Sequence, residues 1–126
     1  MFNIDLKSST PIYEQIVNQV KEAILKGYLK KGDPLPSVRK LSVMLDVNPN
    51  TIAKAYRELE QNQVIVTLRG RGTFIAEETV ENIDINKELL KIRPALAELK
   101  LKGISNDQII KFITELLNEL EGKEQL

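Results

Sequence analysis

Residues 35–75 read LPSVRKLSVMLDVNPNTIAKAYRELEQNQVIVTLRGRGTFI, and they decide the fold. Ser37 stands where a side chain can cap a helix over Val38–Leu45, with Val38, Leu41, Met44 and Leu45 turned inward. Asp46 and Val47 make a turn. Asn48 then caps a second helix, and Pro49 takes its first position, where a backbone N–H has no intrahelical partner anyway. Ile52, Ala55, Tyr56 and Leu59 recur at spacings of three and four, which gathers them on one buried face. Asn50, Thr51, Lys54, Arg57 and Gln61 fall on or near the opposite side. Val64–Leu68 and Thr73–Ala76 are short β-rich runs with Arg69-Gly70-Arg71-Gly72 between them. Glycines at alternate positions accept positive φ, so a hairpin tip forms there. Phe74 and Ile75 should tie the hairpin to the helices. The stretch therefore reads as a helix-turn-helix with a wing, mainly α with a small β-hairpin. Such a unit presents one helix end and one basic hairpin on the same side, a shape suited to duplex DNA.

Upstream, Ile12, Ile16, Val20 and Ile24 recur every fourth residue, with Val17 and Ala23 beside them. This predicts a helix from Pro11 to about Lys26, capped by Thr10 and ended by Gly27. The connecting KKGDPLPS holds two prolines and a glycine, which keep it extended and short. Downstream of Ala76 the chain changes character. EETVENID is acidic and reads as a linker or a helix start. Leu89, Leu90, Ile92, Leu96 and Leu99 then predict a helix that Pro94 kinks or divides. Gly103 marks a break, Ser105 or Asn106 caps a last helix, and Gly122 with the polar tail ends it. The organisation that follows is a winged unit over residues 9–77 and a helical tail over 78–126.

Composition narrows the function classes. The 126 residues are 42% hydrophobic and 29% charged, as in an ordinary soluble globular protein. There is no cysteine, so disulfides and thiolate metal sites are ruled out. There is no histidine either, which removes the commonest general base and nitrogen ligand. No nucleophile elbow, Walker loop or dinucleotide fingerprint occurs, so the chain reads as a non-enzyme with no cofactor and no metal. No apolar run approaches the ~18 residues that a membrane span needs, and the N-terminus lacks the pattern of a signal peptide. A cytoplasmic protein with no membrane partner is the expectation.

The formal net charge is zero, but the charge is segregated. Residues 1–29 carry three basic and three acidic side chains; residues 30–76 carry eight against four, net +4; residues 77–126 carry seven against eleven, net −4. The positive block coincides with the helix-turn-helix and wing, as a nucleic-acid face requires.

A recognition helix needs polar side chains at its N-terminal end, because that end enters the major groove. Asn50 suits adenine, Thr51 suits base edges or phosphate, and Lys54 suits guanine or phosphate. Arg39, in the first turn of the preceding helix, can hold the DNA backbone and fix register. Ser37 is a cap whose backbone N–H at a helix start can also meet a phosphate. Arg69 and Arg71 flank Gly70 at the wing tip, with Gly72 following; a narrow minor groove attracts arginine, and glycine permits close approach.

These motifs resemble the GntR family of bacterial transcription regulators. LPSVRKLS is similar to the family's helix-2 signature, NPNTIAKAYRELEQNQVI to its recognition helix, and RGRGTFI to its wing. The resemblance implies a winged helix-turn-helix that binds an operator as a homodimer. It points to Arg39, Thr51, Gly70, Arg71 and Gly72 as DNA contacts. Many members carry an arginine just inside the recognition helix and another four residues later. This chain has Pro49 and Ala53 there, so base reading must shift to Asn50, Thr51 and Lys54, and operator preference should differ. A tail of this length resembles that of the YtrA subfamily. That implies a dimerising helical tail without a spacious ligand pocket, and ABC transporter genes as common targets.

The tail supports dimerisation on its own terms, the competing reading being that it folds back on its own DNA-binding unit. Ile109, Ile110, Ile113, Leu116, Leu117 and Leu120 form a broad stripe that one short partner helix can hardly cover. The interface expected from the tail is Leu89, Leu90, Leu96, Leu99, Ile109, Ile110, Ile113, Leu116 and Leu117. The leading reading is thus a DNA-binding regulator, with repression as the expected sign, open to an unidentified small-molecule effector. The alternative is a winged-helix protein-interaction module without sequence-specific DNA binding. That version would show apolar or aromatic residues on the recognition helix and wing, where this chain shows Asn50, Thr51, Lys54, Arg69 and Arg71.

Overall fold

The computed structural model describes residues 2–77 and 83–122. The chain divides into two compact units, residues 1–79 and 80–126. Most of EETVENID and the last four residues of the polar tail lie outside the described residues.

The first unit is α1 (Ile12–Leu25), β1 (Pro34–Leu35), α2 (Val38–Leu45), α3 (Pro49–Gln61), β2 (Ile65–Leu68) and β3 (Gly72–Ile75). Its core gathers Ile16 and Val20 of α1, Leu41 of α2, and Ile52, Ala55 and Leu59 of α3, all fully buried. These are the positions that helical spacing singles out. Ile65 and Ile75 pair across the wing and close the core from the other side. Strand side chains alternate, so the next pair, Val66 and Phe74, faces the other way. Phe74 is only half-buried and lines an open groove of about 660 Å³ with Val66 and Leu68. The tie between hairpin and helices is therefore Ile65 with Ile75, and Phe74 has no such part.

Local chemistry sets the helix ends. The Ser37 side chain accepts from the Lys40 N–H, and that of Asn48 from the Asn50 N–H, with Pro49 at the first helical position. Gly27, at φ +81, ends the α1 region, and the N–H groups of Tyr28 and Leu29 both return to the Ala23 carbonyl. Thr10 does not cap α1. Pro11 holds the N-cap position, with no side-chain cap, and the Thr10 carbonyl accepts instead from Gln15 Nε2. That buried glutamine also donates to the Asp5 carbonyl and accepts from the Asp5 N–H. One turn on, Gln19 makes the same two-way exchange with Asn3. Two side chains thus bond the N-terminal arm as a neighbouring strand would, and Phe2 and Ile4 pack against the core.

Two further expectations need correction. Met44 is 60% exposed, because Val38, Leu41 and Leu45 complete the inward stripe of α2 and leave Met44 one step round the helix. The wing is also more than a hairpin. Pro34 and Leu35 pair with Phe74 and Thr73, giving a three-stranded antiparallel sheet in the order β1-β3-β2. The N–H of Gly32 and the carbonyl of Asp33 extend that ladder to Ile75.

The second unit is α4 (Ile85–Leu101) and α5 (Asn106–Leu120), packed on each other. Asp84 caps α4, and Ser105 with Gln108 forms a reciprocal capping box on α5. Pro94 neither divides nor ends α4, which runs on through it. Proline removes one intrahelical hydrogen bond, the one to the Leu90 carbonyl, and Leu90 is exposed, so water can satisfy that group.

Asp46 and Gln63 are the non-glycine residues at positive φ among the described residues, at 53° and 61°. Asp46 closes α2, while Gln63 follows α3 and has an exposed side chain. Left-handed geometry costs an L-residue roughly 1–2 kcal/mol, less for aspartate. Gln63→Gly should therefore stabilise the fold by about 0.5–1 kcal/mol after the added chain entropy of glycine. A higher urea midpoint at unchanged slope is the expected result.

Candidate nucleic-acid interface

The turn between α2 and α3 is held tightly. The Val47 N–H bonds to the Ser42 carbonyl at 3.1 Å, and the Ser42 hydroxyl donates to the Val47 carbonyl at 2.6 Å. Asp46, left-handed at φ 53, reverses the chain between them. A second tie crosses from α3 to the segment before α2: the Tyr56 hydroxyl donates to the Pro36 carbonyl at 2.6 Å. These bonds fix α2 against α3 and hold β1 at the edge of the wing.

With α3 clamped on its Ile52, Ala55, Tyr56 and Leu59 face, the other face is free. Asn50 and Lys54 are one turn apart there and Thr51 lies three residues before Lys54, so the three share a strip at the N-terminal end. Asn50 and Lys54 are exposed and Thr51 is half-buried. Arg57 and Gln61, both exposed, carry the strip further along α3. Arg57 belongs with the candidates on spacing alone, and its signal was present in the sequence. Ser37 and Arg39 are exposed at the start of α2.

The wing turn is built as its glycines require. The Arg71 N–H bonds to the Leu68 carbonyl at 2.9 Å, closing a four-residue turn whose third member, Gly70, sits at φ +79. Gly72, at φ +115, begins β3. No atom lies within 4 Å of where a Cβ would stand on either glycine, so both are open for a close approach. Arg69 and Arg71 are exposed on either side of Gly70. The first unit thus holds every DNA-contact candidate, on α2, α3 and the wing.

One contact has no local sequence signal. Lys54 Nζ stands 4.0 Å from the centre of the Tyr13 ring, which reaches it from α1. Partial burial, together with the carboxylates of Glu14 and Glu58, pushes the Tyr13 phenol above its ordinary value.

The family profile of the bacterial regulatory proteins, gntR family, matches residues 12–75, from the first residue of α1 to the last of β3. The chain belongs to the GntR family. The HTH-type transcriptional repressor YtrA of Bacillus subtilis (strain 168) is 43% identical to it, over 97% of this chain and 96% of that protein. A crystal structure described as a transcriptional antiterminator from Listeria monocytogenes EGD-e superposes with a TM-score of 0.89 at 37% identity, covering 100% and 96% of the two chains. YtrA from Sulfolobus acidocaldarius, a GntR-family transcription factor, superposes at 0.57 with 36% identity over 93% and 97%. The protein is a bacterial GntR-type transcription regulator of YtrA-like build. These relatives are named as transcription factors, and among the described residues no helix is long and apolar enough to cross a membrane.

Burial raises the Tyr56 phenol to about 12, from an ordinary 10.0. The folded state then holds that proton more tightly than the unfolded chain. Its contribution is complete below pH 10 and is lost as pH climbs toward 12. Tyr56→Phe should lower stability by about 1–2 kcal/mol through the lost bond to Pro36. Its stability should also fall less steeply than that of the wild type across this alkaline window, as urea titrations at stepped pH will read.

Proposed function

We propose that the protein is a homodimeric repressor that docks two winged heads on the half-sites of a pseudo-palindromic operator. The observation that carries this reading is the polar strip Asn50, Thr51 and Lys54 at the N-terminal end of an otherwise clamped α3. In this reading the strip enters the major groove and reads base edges. Arg39 and the start of α2 at Ser37 hold phosphates and set register. Arg69, Gly70, Arg71 and Gly72 bring the wing tip to the minor groove. Half-sites about 10 bp apart, one helical turn, would match a two-fold protein. Occupying the operator excludes polymerase. The family resemblance adds an ABC transporter operon as the set of genes controlled.

The tail supplies the two-fold in this reading. Ile110, Leu116 and Leu117 are 62%, 55% and 56% exposed, and α4 has no buried residue at all. Apolar faces of that extent on a two-helix unit call for a second surface to cover them. Leu89, Leu90, Leu99 and Ile113 are exposed and Leu96 is half-buried, so these remain interface candidates. Ile109 does not, because it is already 93% covered within the single chain and offers no surface to a partner. An effector that changed the spacing of the heads would release DNA, since a duplex fixes that spacing.

The test is binding to a fluorescent duplex carrying the promoter upstream of the protein's own gene, in a salt series. With about six phosphate contacts the log–log slope should lie near −5. Thr51→Ala with Lys54→Ala should weaken specific binding by at least about tenfold, the loss of one or two base contacts. Weak binding that is equal on scrambled DNA and unmoved by those changes would sink the reading in favour of a protein-interaction module. Leu116→Glu with Leu117→Glu should convert the protein to monomers in sedimentation and lower operator affinity; an unchanged mass would remove the tail from the interface.

A further inference from the structure

Lys54 is the one cation in the first two turns of α3, since Pro49 and Ala53 stand at the places where many relatives carry arginine. Where its ammonium is held therefore decides where positive charge lies at this end of the helix. The stem is four flexible carbons long and does not by itself fix the amine. Glu58, one turn further along, is the partner to which a lysine on this face would ordinarily swing. Yet among the described residues Lys54 forms no ion pair, and its Nζ lies 4.0 Å from the Tyr13 ring centre. An ammonium within about 6 Å of a ring centre is attracted by the negative face of the ring.

The ring is the fixed member of this pair. Tyr13 is the second residue of α1, half-buried, and packed against the core. The flanking α1 residues Gln15, Ile16 and Val17 are all buried. We propose that Tyr13 is a positioning residue for base reading: its ring holds the Lys54 ammonium at one place on the recognition surface and so sets the base edge that Lys54 addresses. This rests on the reading of α3 as the DNA-reading helix. An ammonium carries three N–H donors, and a ring on one side leaves the others for a guanine edge. The Glu58 carboxylate acts on the same ring, yet forms no ion pair with Lys54 among the described residues. The phenol hydroxyl is not required for this; the aromatic face is.

The test is selection of duplexes with a randomised centre by the full-length protein, read by sequencing, for wild type, Lys54→Ala, Tyr13→Phe, Tyr13→Leu and Tyr13→Met. At the base positions where Lys54→Ala flattens preference, Tyr13→Leu and Tyr13→Met should flatten it too, by about fivefold, the upper end for an exposed cation–π contact. Tyr13→Phe should stay within about twofold of wild type, since phenylalanine keeps the ring face. Adding Tyr13→Leu to Lys54→Ala should change nothing more at those positions. A merely structural role would lower affinity on every sequence alike and leave the preferences standing, which would overturn the proposal. So would a Tyr13→Leu protein that binds its preferred site more tightly than wild type, for the ring would then park the lysine away from DNA. Unaltered preferences in Lys54→Ala would overturn it as well. Failure of the underlying reading shows separately, as a wild-type protein that enriches no sequence at all. Matching urea midpoints identify the variants that fold, and the leucine and methionine forms give two independent removals of the ring.

Discussion

The packing of α1 across α3 is the contact on which the first unit depends. Ile16 and Val20 join Ile52, Ala55 and Leu59 in a fully buried core, and the other elements of the unit pack on that cluster. Thirteen residues of α3 supply four buried positions, and those four leave the helix one rotational setting. The polar strip then faces outward by necessity. Leu41 seats α2 on the same core, and the Ile65–Ile75 pair seats the wing. Close-packed interiors deform little, so the polar strip inherits its placement from buried apolar side chains.

The two units differ in how far they satisfy their own apolar surface. The first has a contiguous core, caps on α2 and α3, and an arm sewn down by Gln15 and Gln19. The second has good local chemistry, with the Asp84 cap and the Ser105–Gln108 box, but Ile109 is its one buried residue among those described. Its ion pairs, Glu88–Lys91 and Glu98–Lys102, are exposed and contribute little. Local signals thus form the tail helices, while burial does little for them within one chain.

That contrast also explains what the sequence revealed. The bounds of α2 and the start of α3 were legible because Ser37, Asn48 and Pro49 act on residues two or three positions away. The buried face of α3 was legible because a period of 3.6 survives any tertiary context. β1 was not, since two residues in a Pro-rich connector become a strand only when Phe74 and Thr73 lie alongside. Thr10 looked like a cap, but the helix begins at Ile12 with Pro11 at the N-cap position, one residue too late for Thr10 to serve. Pro94 read as a kink or a division because proline removes a helix hydrogen bond, but the Leu90 carbonyl it leaves is exposed and water can replace that bond. Of the site, the α3 strip and wing tip were readable from type and spacing. The ring of Tyr13 beneath Lys54 was not, because it joins residues 41 positions apart through the fold.

The start of α3 is written almost entirely in two residues, a capping asparagine and a proline, neither of which is a base-reading candidate. The frame of the helix and the vocabulary it displays are therefore inherited separately. On the proposed reading, changes at Asn50, Thr51 or Lys54 would alter which operator is preferred while the helix keeps its beginning, its register and its buried face. On that reading a duplicated head would move toward a new set of promoters through substitutions that leave the cap, the proline and the four buried positions untouched.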